Sequence, residues 1–202
     1  MAPQYASALG KNANCQTLVS LTLARQEVPV MVGLRLFLPE SWTSDSTRLD
    51  RAKVPEDRRD YRTKPEIALA EIDRVRSGGV HFGYVLADAG YGLSAPFRQG
   101  LSERGLLWAV GIPYKQKVYP ADVAMIFPVA GRGRPRQRHI SDAKSVMAKA
   151  MLESARWQKV SWRKGTKGKL AARFAAVRVR VAGGPPQRIH DTAPAFMTGN
   201  AP

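Results

Sequence analysis

The sequence predicts an α/β fold built on a mixed sheet, and three features predict it. Val30, Val32, Leu34, Leu36 and Leu38 recur at strict period two, the alternation of a strand. A second segment, "CQTLVSLTLA", carries Leu18, Leu21 and Leu23 among β-branched neighbours and is joined to the first by only Arg25 to Glu27, so the two read as an antiparallel hairpin. Further on, "YVLA" and "LLWAVGI" are continuous apolar runs separated by a helix-length stretch, the pattern of parallel strands joined by a helical crossover.

The remaining elements follow in order. Residues 1–14 show no period and read as loop, and residues 40–63 are polar and charge-mixed, a surface excursion. "PEIALAEIDRVR" places Ile67, Leu69, Ala70, Ile72 and Val75 near helical spacing, with Thr63 as candidate N-cap and Gly78-Gly79 as stop. A second helix is expected from Ser94, closed by Gly105. Beyond Pro113 the pattern predicts a basic Gly-rich loop, a helix over about 141–156, and a hairpin over about 157–182 whose second strand includes the alternating Val177 to Val181. Residues 183–202 are rich in Pro, Gly and Ala, and a disordered tail is expected there. The expected organisation is therefore a core over 1–112, a basic subdomain over 113–182, and a tail.

Charge narrows the partner. The net charge is +16, and residues 132–180 hold 15 Lys/Arg against 2 Asp/Glu, so 13 of the 16 excess positive charges lie in that segment. A field so concentrated attracts polyanions, nucleic acid foremost, through phosphate contacts and counterion release; a solubilising face is the alternative. A hydrophobic content of 44% excludes wholesale disorder. One cysteine, Cys15, excludes an internal disulfide. No run reaches the roughly 20 apolar residues of a membrane span. A cytoplasmic location is expected, with neither membrane nor small-molecule partner.

One acid stands out. In "YVLADAGYG", Asp88 ends an apolar strand, where open α/β sheets place reactive groups. Hard carboxylate oxygens there suit Mg²⁺, and paired ions clamp an in-line phosphoryl displacement. The same Asp-Ala-Gly pattern equally describes a turn residue or the cap of a following helix.

The stretch "YVLADAGYGLSAPFRQGLSERGLLWAVGIP" resembles the strand-helix-strand around the second catalytic aspartate of bacterial insertion-sequence transposases of the DDE superfamily. "GKNANCQTLVSLTLA", "VPVMVGLRLFLPESW", "TKPEIALAEI" and "SWRKGTKGKLAARFAAVRVRVA" resemble successive blocks of that family, from about Ala2 to Arg188. The resemblance implies a ribonuclease-H-like domain in which three acids hold two divalent metals, Mg²⁺ by expectation, and DNA is cut and rejoined at the element ends. It implies a catalytic and metal-binding role for Asp88, and a β-rich basic insertion over 113–182 containing one helix.

Two departures accompany it. No acid precedes Glu27, where the family's first aspartate would lie on the first central strand, and after Arg188 the only acid is Asp191. Glu153 falls inside the insertion, so it is a poor stand-in for the third acid. The expectation is a transposase truncated at both ends, inactive by itself, bound to bacterial nucleoid DNA, and either a DNA-binding remnant or a regulator of a full-length copy. Loss of the central strand is also expected to leave two facing sheet edges without ladder partners.

Candidate DNA contacts are Lys115 and Lys117 after the fifth strand, Arg132, Arg134, Arg136 and Arg138 in the basic loop, and Arg163, Lys164, Lys167, Lys169 and Arg173 in the hairpin. "GRGRPR" resembles AT-hook peptides, with a generic phosphate-contacting loop as the alternative. In "WRKGTKGK" the glycines suit close approach to a phosphate, and a plain hairpin turn is the competing reading. Solvated surface competes for Lys115 and Lys117. His81, His139 and His190 lack metal spacing, Tyr91 is read as core, and Ser94 and Ser102 have no neighbouring His for a nucleophilic triad.

Overall fold

The computed structural model describes residues 2–6, 9–25, 28–126, 140–182 and 196–198. The chain divides into two compact units, residues 1–110 and 111–202.

The first unit opens with a hairpin of β1 (Ala2–Ala6) and β2 (Lys11–Cys15), where the sequence pattern suggests loop. Its residues are small or polar, so period two is weak; the backbone ladder and the Gln4 side-chain amide, donating to the Cys15 carbonyl at 3.0 Å, hold it. β3 (Thr17–Arg25) and β4 (Val28–Phe37) form the expected antiparallel hairpin, with a bulge at Leu21/Thr22. The expected surface excursion contains α1 (Glu40–Thr43), α2 (Ser46–Arg51) and a 3-10 turn (Glu56–Arg58). Elements this short offer too few apolar positions to show a period in sequence: α2 buries Leu49 alone and is capped by Asp45, whose carboxylate accepts from Arg48 N–H at 2.9 Å.

α3 (Lys64–Ser77) begins on a complete capping box: Thr63 accepts from Glu66 N–H, and the Glu66 carboxylate accepts from Thr63 N–H at 2.7 Å. It stops at Gly78, and Gly79 adopts a left-handed φ of 84°. β5 (Tyr84–Ala87) then leads through α4 (Ala89–Gly92) and α5 (Ala95–Glu103) into β6 (Leu107–Val110), which pairs parallel with β5. Ile72 from α3, Val85 from β5, and Phe97 and Leu101 from α5 make the buried core, with Leu21, Leu69, Tyr91 and Trp108 packed around it. Each such side chain contributes about 1.5–3 kcal/mol by leaving water.

A close approach and two ion pairs lock α3 in place. Gly33 on β4 is buried, and a Cβ there would lie 3.1 Å from Glu71 Oε2, 3.2 Å from Leu21 Cβ and 3.3 Å from Arg74 Nη2. Glu71 is the buried charged residue of the described chain. Arg74 donates to it through Nε at 2.9 Å and to the Val32 carbonyl through Nη2 at 3.1 Å. On the other side, Arg104 donates through two nitrogens to the Asp73 carboxylate, at 2.7 and 2.6 Å, tying the end of α5 to α3.

The pair β3–β4 and the pair β5–β6 are separate two-stranded sheets rather than one mixed sheet. Among the described residues, the outer edges of β3 and β5 have no ladder partner. Each pair packs one face inward and leaves the other open: Leu18, Met31, Leu34 and Leu36 are exposed on the first, and Tyr84, Leu86 and Leu107 on the second. In β4 the face turned inward carries Gly33, Arg35 and Phe37, while Leu34 and Leu36, from the alternating apolar series, look outward.

In the second unit, β7 (Lys117–Pro120) is the centre of an antiparallel sheet, with β10 (Val146–Met147) on one side and β13 (Val179–Val181) on the other. Val118 and Ala148 are its buried core. β8 (Met125–Ile126) pairs with β9 (Ile140–Ser141). The helix expected over about 141–156 is confined to α6 (Ala148–Met151), because Ile140–Ser141 and Val146–Met147 are drawn into strand pairings that outweigh local helix preference. The hairpin is β11 (Gln158–Gly165) with β12 (Gly168–Ala176). Val179–Val181 does not extend it, as the alternation suggests, but pairs with β7. Within the expected tail, β14 (Phe196–Thr198) pairs with β12; the rest of the tail lies outside the described residues, as does the loop "GRGRPR".

The locking of α3 can be tested by substitution. Arg74→Gln strips the buried Glu71 carboxylate of its partner, and Gly33→Ala forces Leu21 or Glu71 aside; each lowers unfolding free energy by about 1–3 kcal/mol in denaturant titration. The Arg104 guanidinium hydrogen-bonded to Asp73 holds that carboxyl below the ordinary aspartate value, so the pair stabilises the fold above about pH 4. That contribution is lost as pH falls through the depressed folded value. Comparing wild type with Asp73→Asn by thermal unfolding gives a modest gap at pH 6, since Asp73 is half-exposed and screened, and the gap closes below pH 4.

Candidate functional site

Asp88 follows the last residue of β5 and caps α4: its Oδ1 accepts from the Gly90 N–H at 2.9 Å and the Tyr91 N–H at 3.3 Å. Both readings of "ADAG" therefore meet in one residue, an exposed carboxylate at a strand end that also nucleates the next helix. A Cβ at position 90 would stand 3.1 Å from Asp88 Oδ1, so a larger residue there crowds the capping carboxylate. Tyr91 leans on Phe97, with ring centroids 5.4 Å apart. Burial, and then the nearby Asp88 charge, raise its phenol above the ordinary tyrosine value, which keeps it a neutral core residue with a polar tip.

A two-metal carboxylate centre needs several hard ligands converging on one point. Among the described residues no group of three or more His, Cys, Asp or Glu is placed to hold a metal ion. Asp88 spends one oxygen on backbone N–H groups, so the described residues do not fit such a centre. Glu153 lies just beyond α6 in the second unit, whereas Asp88 belongs to the first.

The candidate DNA contacts fall into three sets. Arg163, Lys164, Lys167, Lys169 and Arg173 are brought together on the β11–β12 hairpin, all exposed. Its register sets Lys159 opposite Arg173 and Lys164 opposite Lys169. Like charges directly opposed across a ladder destabilise it, and an anion laid along that face relieves the repulsion. Arg173 also lies over the Trp157 ring, 5.9 Å from its centroid. Lys117 begins β7, and Lys115 sits 5.6 Å from the Tyr114 ring centroid; both are exposed. Arg132, Arg134, Arg136 and Arg138 lie outside the described residues.

A fourth basic group, in the first unit, is not legible in the sequence. Arg35 on β4 is half-buried, and burial and then the charges of Arg58 and Arg62 hold its pKa below the ordinary arginine value. Their spacing along the chain carries no motif, and Arg35 sits within a segment that reads by its apolar alternation.

The capping geometry predicts that Asp88→Ala costs about 0.5–2 kcal/mol in chemical unfolding. Asp88→Asn, an equally good cap, leaves stability within about 0.5 kcal/mol while removing the charge.

A family model described as DDE superfamily endonuclease matches residues 1–169 of the 202. No curated protein and no solved structure matches the chain. The matched span runs from β1 through the tip of the basic hairpin and takes in the strand that ends at Asp88. With that much of its length matched, the chain belongs to the DDE superfamily endonucleases.

Proposed function

We propose that this chain is a transposase-type DDE protein, of the insertion-sequence kind, that binds DNA but does not cut it by itself. The observation that carries this reading is the contrast between its two charge features. Asp88 caps a helix, and among the described residues no group of three or more potential metal ligands forms, whereas the hairpin opposes cation to cation across its ladder. Such a face is stable when phosphate neutralises it. Strand transfer at phosphodiesters belongs to the whole family site, ribonuclease-H-like and Mg²⁺-loaded, of which this chain carries the Asp88 position. The proposed partners are the DNA ends of an element in a bacterial cell and a full-length transposase copy, beside which this chain acts as DNA-binding remnant or regulator.

The reading is tested with purified protein, supercoiled plasmid and a labelled duplex. Expected are no Mg²⁺- or Mn²⁺-dependent nicking and a duplex affinity that falls steeply with salt, equal in wild type and Asp88→Asn. Replacing Arg163, Lys164, Lys167 and Lys169 by Gln lowers the slope of log K against log salt by about 3–4, roughly one for each phosphate no longer neutralised. Metal-dependent nicking abolished by Asp88→Asn overturns the proposal.

A further inference from the structure

The β11–β12 ribbon has two unlike faces, and one extra residue separates them. Between Ser161 and Arg163 the register shifts, so Trp162 is skipped in the ladder. Side chains alternate along a strand, and a bulge reverses the phase beyond it. Before the bulge Lys159 lies opposite Arg173, and after it Lys164 lies opposite Lys169. Lys169 and Arg173 are four residues apart on β12, so all four cations share one face. Without the extra residue Lys164 would fall on the other side.

The opposite face is apolar. β12 places Leu170 and Phe174 there, and β11 places Val160 there, opposite Ala172. Trp162 joins them, its ring centroid 5.9 Å from that of Phe174 with an interplanar angle of 78°. In such a T-shaped pair the edge of one ring meets the face of the other. If Phe174 offers its edge, it covers one side of the indole; if Trp162 offers its edge, Phe174 covers neither. In both cases at least one indole face is left open by Phe174, and Trp162 is 56% exposed, beside Val160 at 43% and Leu170 at 38%.

A flat ring held open on a basic ribbon suits a nucleobase: every base has a π face, and nearby cations attract the phosphates that carry it. Bases within a duplex are already stacked on one another, whereas unpaired bases are free to stack on protein. We propose that the Trp162 face of the hairpin binds unpaired bases of DNA, with Trp162 as the stacking platform and Phe174 as its buttress. The choice of DNA rests on the function proposed above; the stacking chemistry does not. The two faces then act separately: Lys159, Lys164, Lys169 and Arg173 supply a salt-sensitive attraction to phosphate, and Trp162 supplies a contact to bases that salt leaves unchanged.

The test uses the full chain as wild type, Trp162→Ala, Trp162→Leu and Trp162→Phe. Each is titrated against salt with a labelled oligothymidine strand and with a labelled duplex of the same length. Trp162→Ala is expected to lose about five- to a hundred-fold in affinity for the single strand, the stacking of one base. Its duplex affinity and both salt slopes stay as in wild type. Phenylalanine at 162 keeps most of the single-strand affinity, and leucine, which fills the space beside Phe174 without a π face, does not. Packing alone would be served as well by leucine as by phenylalanine, so equal single-strand affinities of those two variants overturn the proposal. An equal loss on single strand and duplex does so too. Should Trp162→Ala not fold, the leucine and phenylalanine variants carry the comparison.

Irradiating wild type on an iodouracil-substituted single strand is expected to crosslink the peptide that contains Trp162; crosslinks confined to other peptides overturn the assignment. Salt-sensitive duplex binding with a single-strand affinity indifferent to Trp162 removes this site and leaves the proposed function standing. Single-strand binding through Trp162 without duplex binding does the reverse, and binding of neither removes both. A wild-type dimer that Trp162→Ala splits in the absence of DNA gives the face to a second copy of the chain and overturns the proposal.

Discussion

The first unit depends on how closely β4 can approach α3. Glycine at position 33 lets the strand pass within reach of Glu71, whose buried carboxylate Arg74 holds while also reaching the Val32 carbonyl. A side chain at 33 would press on Leu21 and on the Glu71–Arg74 pair. A missing Arg74 would leave a charge in the interior with no partner, which costs more than any surface pair returns. Through this contact α3 joins the hairpin on one side to Phe97, Leu101 and Val85 on the other, so the helix is shared by two small sheets that have no strand in common.

The Asp88 position sits at the end of the smaller of these sheets. β5 and β6 pair only with each other among the described residues, and Tyr84, Leu86 and Leu107 show an apolar face to solvent. Parallel strands are ordinarily covered on both faces. Asp88 is nevertheless held firmly, because the peptide groups of Gly90 and Tyr91 orient it and Phe97 backs the tyrosine. A strand-end carboxylate thus keeps its geometry by local capping, independently of any neighbouring acid.

Charge is distributed on a different principle from packing. The β11–β12 hairpin accumulates opposed cations where a self-sufficient hairpin would alternate sign. Arg35 on β4 is half-buried, and its pKa is lowered by burial and then by the charges of Arg58 and Arg62. Like charges opposed across a ladder raise the energy of the hairpin, so charge there is not arranged for the stability of the fold.

Local chemistry is enough to read several elements from the residues alone. The β3–β4 hairpin, α3 from Thr63 to Gly78, α5 from its Ser94 cap, and the parallel character of β5 and β6 follow from period, caps and stops that act within a few residues. The location of Asp88 at a strand end, the basicity of the hairpin and the family blocks are equally legible. Tertiary structure decided the rest, because those outcomes depend on partners distant in sequence. It formed strands from the unpatterned first 15 residues, reduced a helix of expected length to Ala148–Met151, and drew Val179–Val181 away from the hairpin onto β7. It also turned Arg35 inward in place of Leu34 and Leu36. A period in sequence marks two faces of a strand, but only the approach of another element decides which face is buried and which charges are left to meet.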